Sequence, residues 1–206
     1  MSQVPITTGI STMLQKLSEL FSARRAPAGY RPGVTLGHLR RNLGLSSFEQ
    51  TEPTAARASV EDGSLQLEIV EHTESQLLMH LVMTEFVIRV PALTEGTASF
   101  ELHHSGAVRR TGIRCRQRAG DTALLAGLQA SLQEDGALHQ ALMPLDFKRL
   151  RIDLDGRQWC VRLEHMGGSE VVNRMPAFRR YIALSREQRN GLLEALSGLQ
   201  RVLRIL

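Results

Sequence analysis

The chain has 206 residues, 42% of them hydrophobic and 22% charged, a globular composition whose length suits one domain able to bury about 70% of its unfolded surface. That composition excludes intrinsic disorder and collagen-like repeats, and two cysteines, Cys115 and Cys160, are too few for a disulfide scaffold. The formal charge is +4, from 25 basic and 21 acidic side chains, a smaller excess than dedicated nucleic-acid-binding domains carry.

Charge alternates along the chain. Residues 59–104 hold Arg89 alone against eight acids, whereas 105–120 hold Arg109, Arg110, Arg114, Arg116 and Arg118 with no acid. Only Lys16 and Lys148 are lysines, so the positive charge is almost wholly guanidinium, whose planar fork suits carboxylate and phosphate.

In chain order, Ile10, Met13, Leu14, Leu17, Leu20 and Phe21 recur at helical spacing and predict a first amphipathic helix. Two prolines and two glycines within 26–33 end it and predict a linker. A short second helix is expected with Thr35 as N-cap, Leu36, Leu39 and Leu43 inward and Gly44 just past its end.

From about residue 55 the period becomes two. Asp62-Gly63 predicts a hairpin turn, and Leu65, Leu67 and Ile69 share a face. The run from Leu77 to Val90 changes its apolar parity near Thr84-Glu85, which predicts a bulge. Pro91 to Gly96 is expected to turn the chain. Ser105-Gly106 then reverses it into a strand over 107–117, and a two-residue loop there would set Glu101 opposite Arg110.

A helix is expected over 121–142 with a break near Gly136, its Leu124, Leu125, Leu128 and Leu132 inward. Asp155-Gly156 predicts a hairpin between Leu150, Ile152, Leu154 and Trp159, Val161, Leu163, with the lone Trp in the core. Residues 169–184 read as extended, with Pro176 at an edge or bulge. Ser185 with Gln188 forms a capping box for a last helix, inward through Leu192, Leu193, Leu196, Leu199 and Leu203.

The expected fold is therefore one α+β domain over 1–206. An antiparallel meander sheet has one face covered by two long helices, the N-terminal helices lie at its side, and the core spans 55–206.

The segments Arg25-Ala-Pro-Ala-Gly-Tyr-Arg-Pro-Gly33 and Phe178-Arg-Arg-Tyr-Ile-Ala-Leu-Ser-Arg-Glu-Gln-Arg189 resemble those of a family of uncharacterised bacterial proteins, known only as a domain of unknown function. The resemblance implies a bacterial, cytoplasmic, single-domain protein and supplies no functional residue to transfer. The order of elements is also similar to that of bacterial secretion chaperones, which are dimeric binding proteins, and a homodimer is left open on that account.

Arg110, Arg114, Arg116 and Arg118 fall on one parity of a predicted strand and so project from one sheet face. Joined by Arg179 and Arg180 if their strand is adjacent, they form the candidate site for an acidic protein or an anionic ligand. With aromatics at 4% no stacking platform for nucleic acid is evident. No histidine spacing suits a metal, no Gly-x-Ser-x-Gly elbow marks a nucleophile, and no glycine-rich phosphate loop is present. No catalytic residue, metal or cofactor is expected. A non-enzymatic binding protein comes first, a small-ligand protein or enzyme with a cavity between sheet and helix second, and nucleic-acid binding third. No run is long and apolar enough to predict a membrane span.

Overall fold

The structure, a computed structural model, describes residues 30–60, 63–75, 79–106, 109–174 and 177–206. The predicted helix over 10–21, most of the 26–33 linker, Asp62 of the predicted Asp62-Gly63 turn, and Pro176 lie outside them.

Seven antiparallel strands form one curled sheet: β1 (Ser47–Glu52), β2 (Ala55–Ser59), β3 (Gln66–Ser75), β4 (Met79–Ser105), β5 (Gly112–Ala119), β6 (Phe147–Arg174) and β7 (Ala177–Ile182). The order is β1-β2-β3-β4-β6-β7, with β5 on the far part of β4. Four helices accompany them: α1 (Val34–Leu43), α2 (Thr122–Glu134), α3 (Gly136–Leu142) and α4 (Arg186–Leu203). The α+β class and the antiparallel sheet agree with the sequence reading. β1, whose pattern is almost wholly polar and exposed, carries no period-two apolar signal and was not foreseen.

The two longest strands are each folded double. β4 and β6 pair from Met79↔Asn173 to Leu102↔Leu150, with a break between Pro91↔Gln158 and Gly96↔Gly156. On β6, Arg149 contacts Glu164 at 3.1 Å and Arg162 contacts Asp153 at 2.8 Å, while Met166 N–H donates to the Asp146 carbonyl at 3.1 Å. Residues fifteen apart on a straight strand would lie on the order of 50 Å from one another. The halves of β6 therefore lie side by side, reversed at the predicted Asp155-Gly156 turn, where Gly156 takes φ 59°, open to glycine at little cost. β4 follows round the outside through Pro91–Gly96, the second predicted turn.

The bulge expected on β4 near Thr84-Glu85 is not there: His80, Val82, Thr84, Phe86, Ile88 and Val90 are all buried on one parity and β4 keeps one register with β3 from His80 to Val87, so the irregularity belongs to β6. The ladder breaks between Val82 and Thr84, opposite the extra residues 166–169 of β6. Gly168 sits there at φ 87°, where an added Cβ would come within 3.1 Å of Leu39 Cδ1 and Thr84 Oγ1.

One buried cluster unites Leu36, Leu39 and Leu43 of α1, Phe86, Phe100 and Trp159 of the sheet, Leu128 of α2, Leu138 of α3, and Leu192, Leu196, Leu199 and Leu203 of α4. The capping box of α4 is formed: Ser185 Oγ accepts from Gln188 N–H, and the Gln188 side chain accepts from Ser185 N–H. Asp135 ends α2 and caps α3 by accepting from Leu138 N–H at 2.9 Å, which explains the break at Gly136. Of the leucines predicted inward, Leu124, Leu125, Leu132 and Leu193 are only partly buried.

Two more local expectations are corrected. Thr35 is not the N-cap of α1: the helix begins at Val34 after Gly33, and the Thr35 side chain points into the sheet. The β4–β5 connection is six residues long, not two, so Ser105 pairs with Gly112 and Glu101 stands opposite Arg116, not Arg110.

Candidate functional site

Because side chains alternate across a strand, the sheet face turned away from the core is built from known positions. It carries Glu68 on β3, Arg89, Glu101 and His103 on β4, Arg114, Arg116 and Arg118 on β5, and Arg149, Arg151, Asp153, Arg162 and Glu164 on β6.

Most of these charges are matched. Arg89 pairs with Glu68 at 3.0 Å, Arg149 with Glu164 at 3.1 Å, and Arg162 with Asp153 at 2.8 Å. Arg151 lies 3.7 Å from Asp153 and donates to Ser99 Oγ at 3.4 Å.

The four arginines expected on one strand, Arg110, Arg114, Arg116 and Arg118, separate into three groups. Arg110 is not on the strand, which begins at Gly112; it donates to the carbonyls of Met143 and Leu145 at 3.2 and 2.9 Å and pairs with Asp146 at 3.0 Å. Arg118 is on the strand, but its Nε donates to Glu101 at 2.7 Å, and this contact holds the Glu101 carboxyl below the usual carboxylate range. Arg114 and Arg116 are exposed and have neither an ion pair nor a hydrogen bond among the described residues. Arg114 faces His103 across the ladder, and Arg116 faces a Glu101 already engaged by Arg118.

Arg179 and Arg180 do not extend this row, because β7 adjoins β6 and is separated from β5 by both β4 and β6. Arg179 turns inward to the buried Glu170, its Nη2 donating to Oε2 at 2.7 Å, and Arg180 is exposed.

Glu170 belongs to a polar seam that the sequence reading passed over. Beneath α1, Thr35 Oγ1 donates to Glu170 at 3.0 Å. Glu71 on β3 accepts from Tyr30 Oη at 2.9 Å and from Gly33 N–H at 3.1 Å, so a distant carboxylate caps the helix in place of Thr35. Burial raises the Glu71 carboxyl. Burial alone would raise Glu170 as well, but the bonds from Arg179 and Thr35 outweigh it and hold that carboxyl below its ordinary range. His165, fully buried, accepts from Asp146 N–H at Nε2 at 3.1 Å and contacts Gly167 through Nδ1, pinning the doubled strand; burial lowers its pKa. With every carboxylate engaged, the seam is a structural device. Its only sequence trace was two acids on inward parity.

Chemistry elsewhere is sparse. Among the described residues no group of three His, Cys, Asp or Glu side chains is placed to hold a metal. His104 stacks on Phe147 and bonds the Leu142 carbonyl, and burial lowers its pKa. Both cysteines are unbridged, and burial pushes the Cys115 thiol up to about 11, away from nucleophilic use at neutral pH. Beside β5 runs a groove of about 690 Å³, lined on the strand by Gly112, Ile113, Arg114 and Cys115 and across from it by Gln129 and Leu132.

Residues 41–203 match the model of a family described as "Protein of unknown function (DUF3156)". The chain belongs to that family. The match includes the sheet, α2 to α4 and the Phe178–Arg189 segment that carried the resemblance, but not the 25–33 segment. No curated protein and no solved structure matches the chain. No helix among the described residues is long and apolar enough to cross a membrane.

Proposed function

We propose that this DUF3156 protein is a non-enzymatic binding protein that holds an acidic protein surface or anionic ligand at the β5 side of its sheet. One observation carries the proposal: Arg114 and Arg116 stand exposed and unmatched on a face whose neighbouring guanidiniums have carboxylate partners. Exposed guanidinium forks of this kind favour bidentate bonds to carboxylate or phosphate. The space between sheet and α4 is packed by Trp159, Phe86, Phe100 and leucines, which favours the surface over an interior cavity as the place of binding.

The test is association with a fluorescent polyglutamate peptide at low ionic strength. Binding should weaken with salt, and the double variant Arg114→Glu, Arg116→Glu should lose affinity by about tenfold or more, equivalent to ~1.4 kcal/mol. A control with the same charge change at the exposed Arg40 and Arg186 should lose little. Equal losses in the two variants would reduce the effect to net charge and end the proposal. Tighter binding of a single-stranded oligonucleotide of matched charge would move the protein to nucleic-acid binding.

A further inference from the structure

The geometry points to β5 as a docking edge for an extended segment in which acidic and apolar residues alternate, the segment joining the sheet as an added strand. This deepens the proposed function and rests on it, since Arg114 and Arg116 supply the charge recognition.

Three features converge on this edge. First, among the described residues β5 pairs with β4 only, so its second edge has no strand on it. Second, the carbonyl of Cys115 is turned away from β4, because it accepts from the Gln129 side chain on α2 at 3.3 Å. Backbone groups of alternate residues point to alternate edges, so Ile113, Cys115 and Gln117 present their N–H and C=O groups outward, while Arg114 and Arg116 are bonded towards β4. Gln129 stands where a strand's donor would be. Third, the groove of about 690 Å³ runs beside residues 112–115 of this edge, with Ile113, Cys115 and Leu132 in its wall and Gln133, His139 and Gln140 at its polar side.

These features fix the pattern of the occupant. A strand added here hydrogen-bonds through the residues opposite Ile113, Cys115 and Gln117, and the side chains opposite Ile113 and Cys115 enter the groove towards Leu132 and are therefore apolar. The residues between them lie opposite Arg114 and Arg116 on the other face and are acidic. Arg114 and Arg116 repeat at twice the strand rise, about 6.8 Å, and acids at alternate positions of an extended segment repeat at the same interval. A second copy of this chain fits poorly: antiparallel pairing of β5 with itself about Cys115 would set Arg114 opposite Arg116 of the other copy, and like charges directly opposite are destabilising. Edge addition with side-chain pockets on alternate residues is a recurring mode of peptide recognition.

The experiment uses the full chain and three octapeptides of the same four Glu and four Val: alternating, alternating with the Val amides N-methylated, and alternating with the Glu amides N-methylated. Val amides face β5 in the inferred register and Glu amides face away. The alternating peptide should bind, Val methylation should weaken it about tenfold or more, and Glu methylation should change it less than about threefold. Gln129→Ala, which clears the Cys115 carbonyl, should strengthen binding. If both methylated peptides bind like the parent while Arg114→Glu, Arg116→Glu still abolishes binding, edge addition is overturned and the anion-binding proposal survives. If that variant binds as well as wild type, both fall. If no peptide binds and Arg114→Val, Arg116→Val self-associates, the arginines guard an edge against aggregation, and docking is overturned.

Discussion

The seam beneath α1 and the edge at β5 handle charge in opposite ways. In the seam, Glu71 and Glu170 are almost fully buried, and each is held by two or more donors from other elements. At the edge, Arg114 and Arg116 are exposed and hold nothing among the described residues. Desolvated charge must be satisfied or it destabilises the fold, whereas solvated charge is free to wait for an external partner. The difference teaches that the buried, fully bonded carboxylates mark architecture, and that the exposed arginines without partners mark the side where binding is proposed.

The contrast is broken most severely in the seam. Glu170→Ala strands the buried Thr35 hydroxyl and removes a carboxylate partner of Arg179, and should cost about 2–3 kcal/mol in denaturant unfolding. A cost under about 0.5 kcal/mol would mean that the seam does not hold α1 to the sheet.

Acidification sharpens the same comparison, because the two carboxylates shift in opposite directions. Glu71 has a raised folded pKa, so its ionised form is penalised; that penalty is relieved as pH falls through the folded value towards the ordinary carboxylate value of about 4.3. Glu170 has a lowered folded pKa, so its stabilisation is full above about 4.3 and is lost as pH falls further, through its folded value. Thermal unfolding of Glu71→Gln against wild type should show the first change missing and the second retained. Identical profiles would remove Glu71 from the titration.

At the edge the stability effects are smaller. Glu101→Ala frees Arg118 and should cost about 0.2–1 kcal/mol while increasing polyglutamate affinity, since three open guanidiniums would then stand in a row. Arg114→Glu with Arg116→Glu should change stability within about 0.5 kcal/mol while affinity falls. A large stability loss there would show that these arginines carry structure after all.

Much of the architecture was legible because its signals are local. Period-two runs, the glycine turn at Asp155-Gly156 and the Ser185 capping box all act within a few residues of themselves, whereas the hairpin expected at Asp62-Gly63 includes Asp62, outside the described residues, and the apolar residues on both faces of β4 falsely suggested a change of parity before Thr84. What escaped depends on distant partners. β1 has no apolar alternation and pairs through its backbone. Thr35 looked like an N-cap because nothing near it in sequence shows that Glu71 takes that role. The arginine row was right in parity for Arg114, Arg116 and Arg118, but Arg110 dropped out because the loop before β5 has six residues, and loop length is not set by Ser105-Gly106 alone. Arg179 was beyond reach, since its inward turn depends on where β7 lies relative to Glu170.

The doubled β4–β6 ribbon also constrains biosynthesis. Met79 finds its ladder partner only when Asn173 has left the ribosome, so β4 emerges with apolar Phe86, Ile88 and Val90 and one edge open for much of translation. Pairing across such separations closes slowly, and the leucine face of α4 comes later still. The nascent chain is therefore at its most aggregation-prone just before its last helix is made.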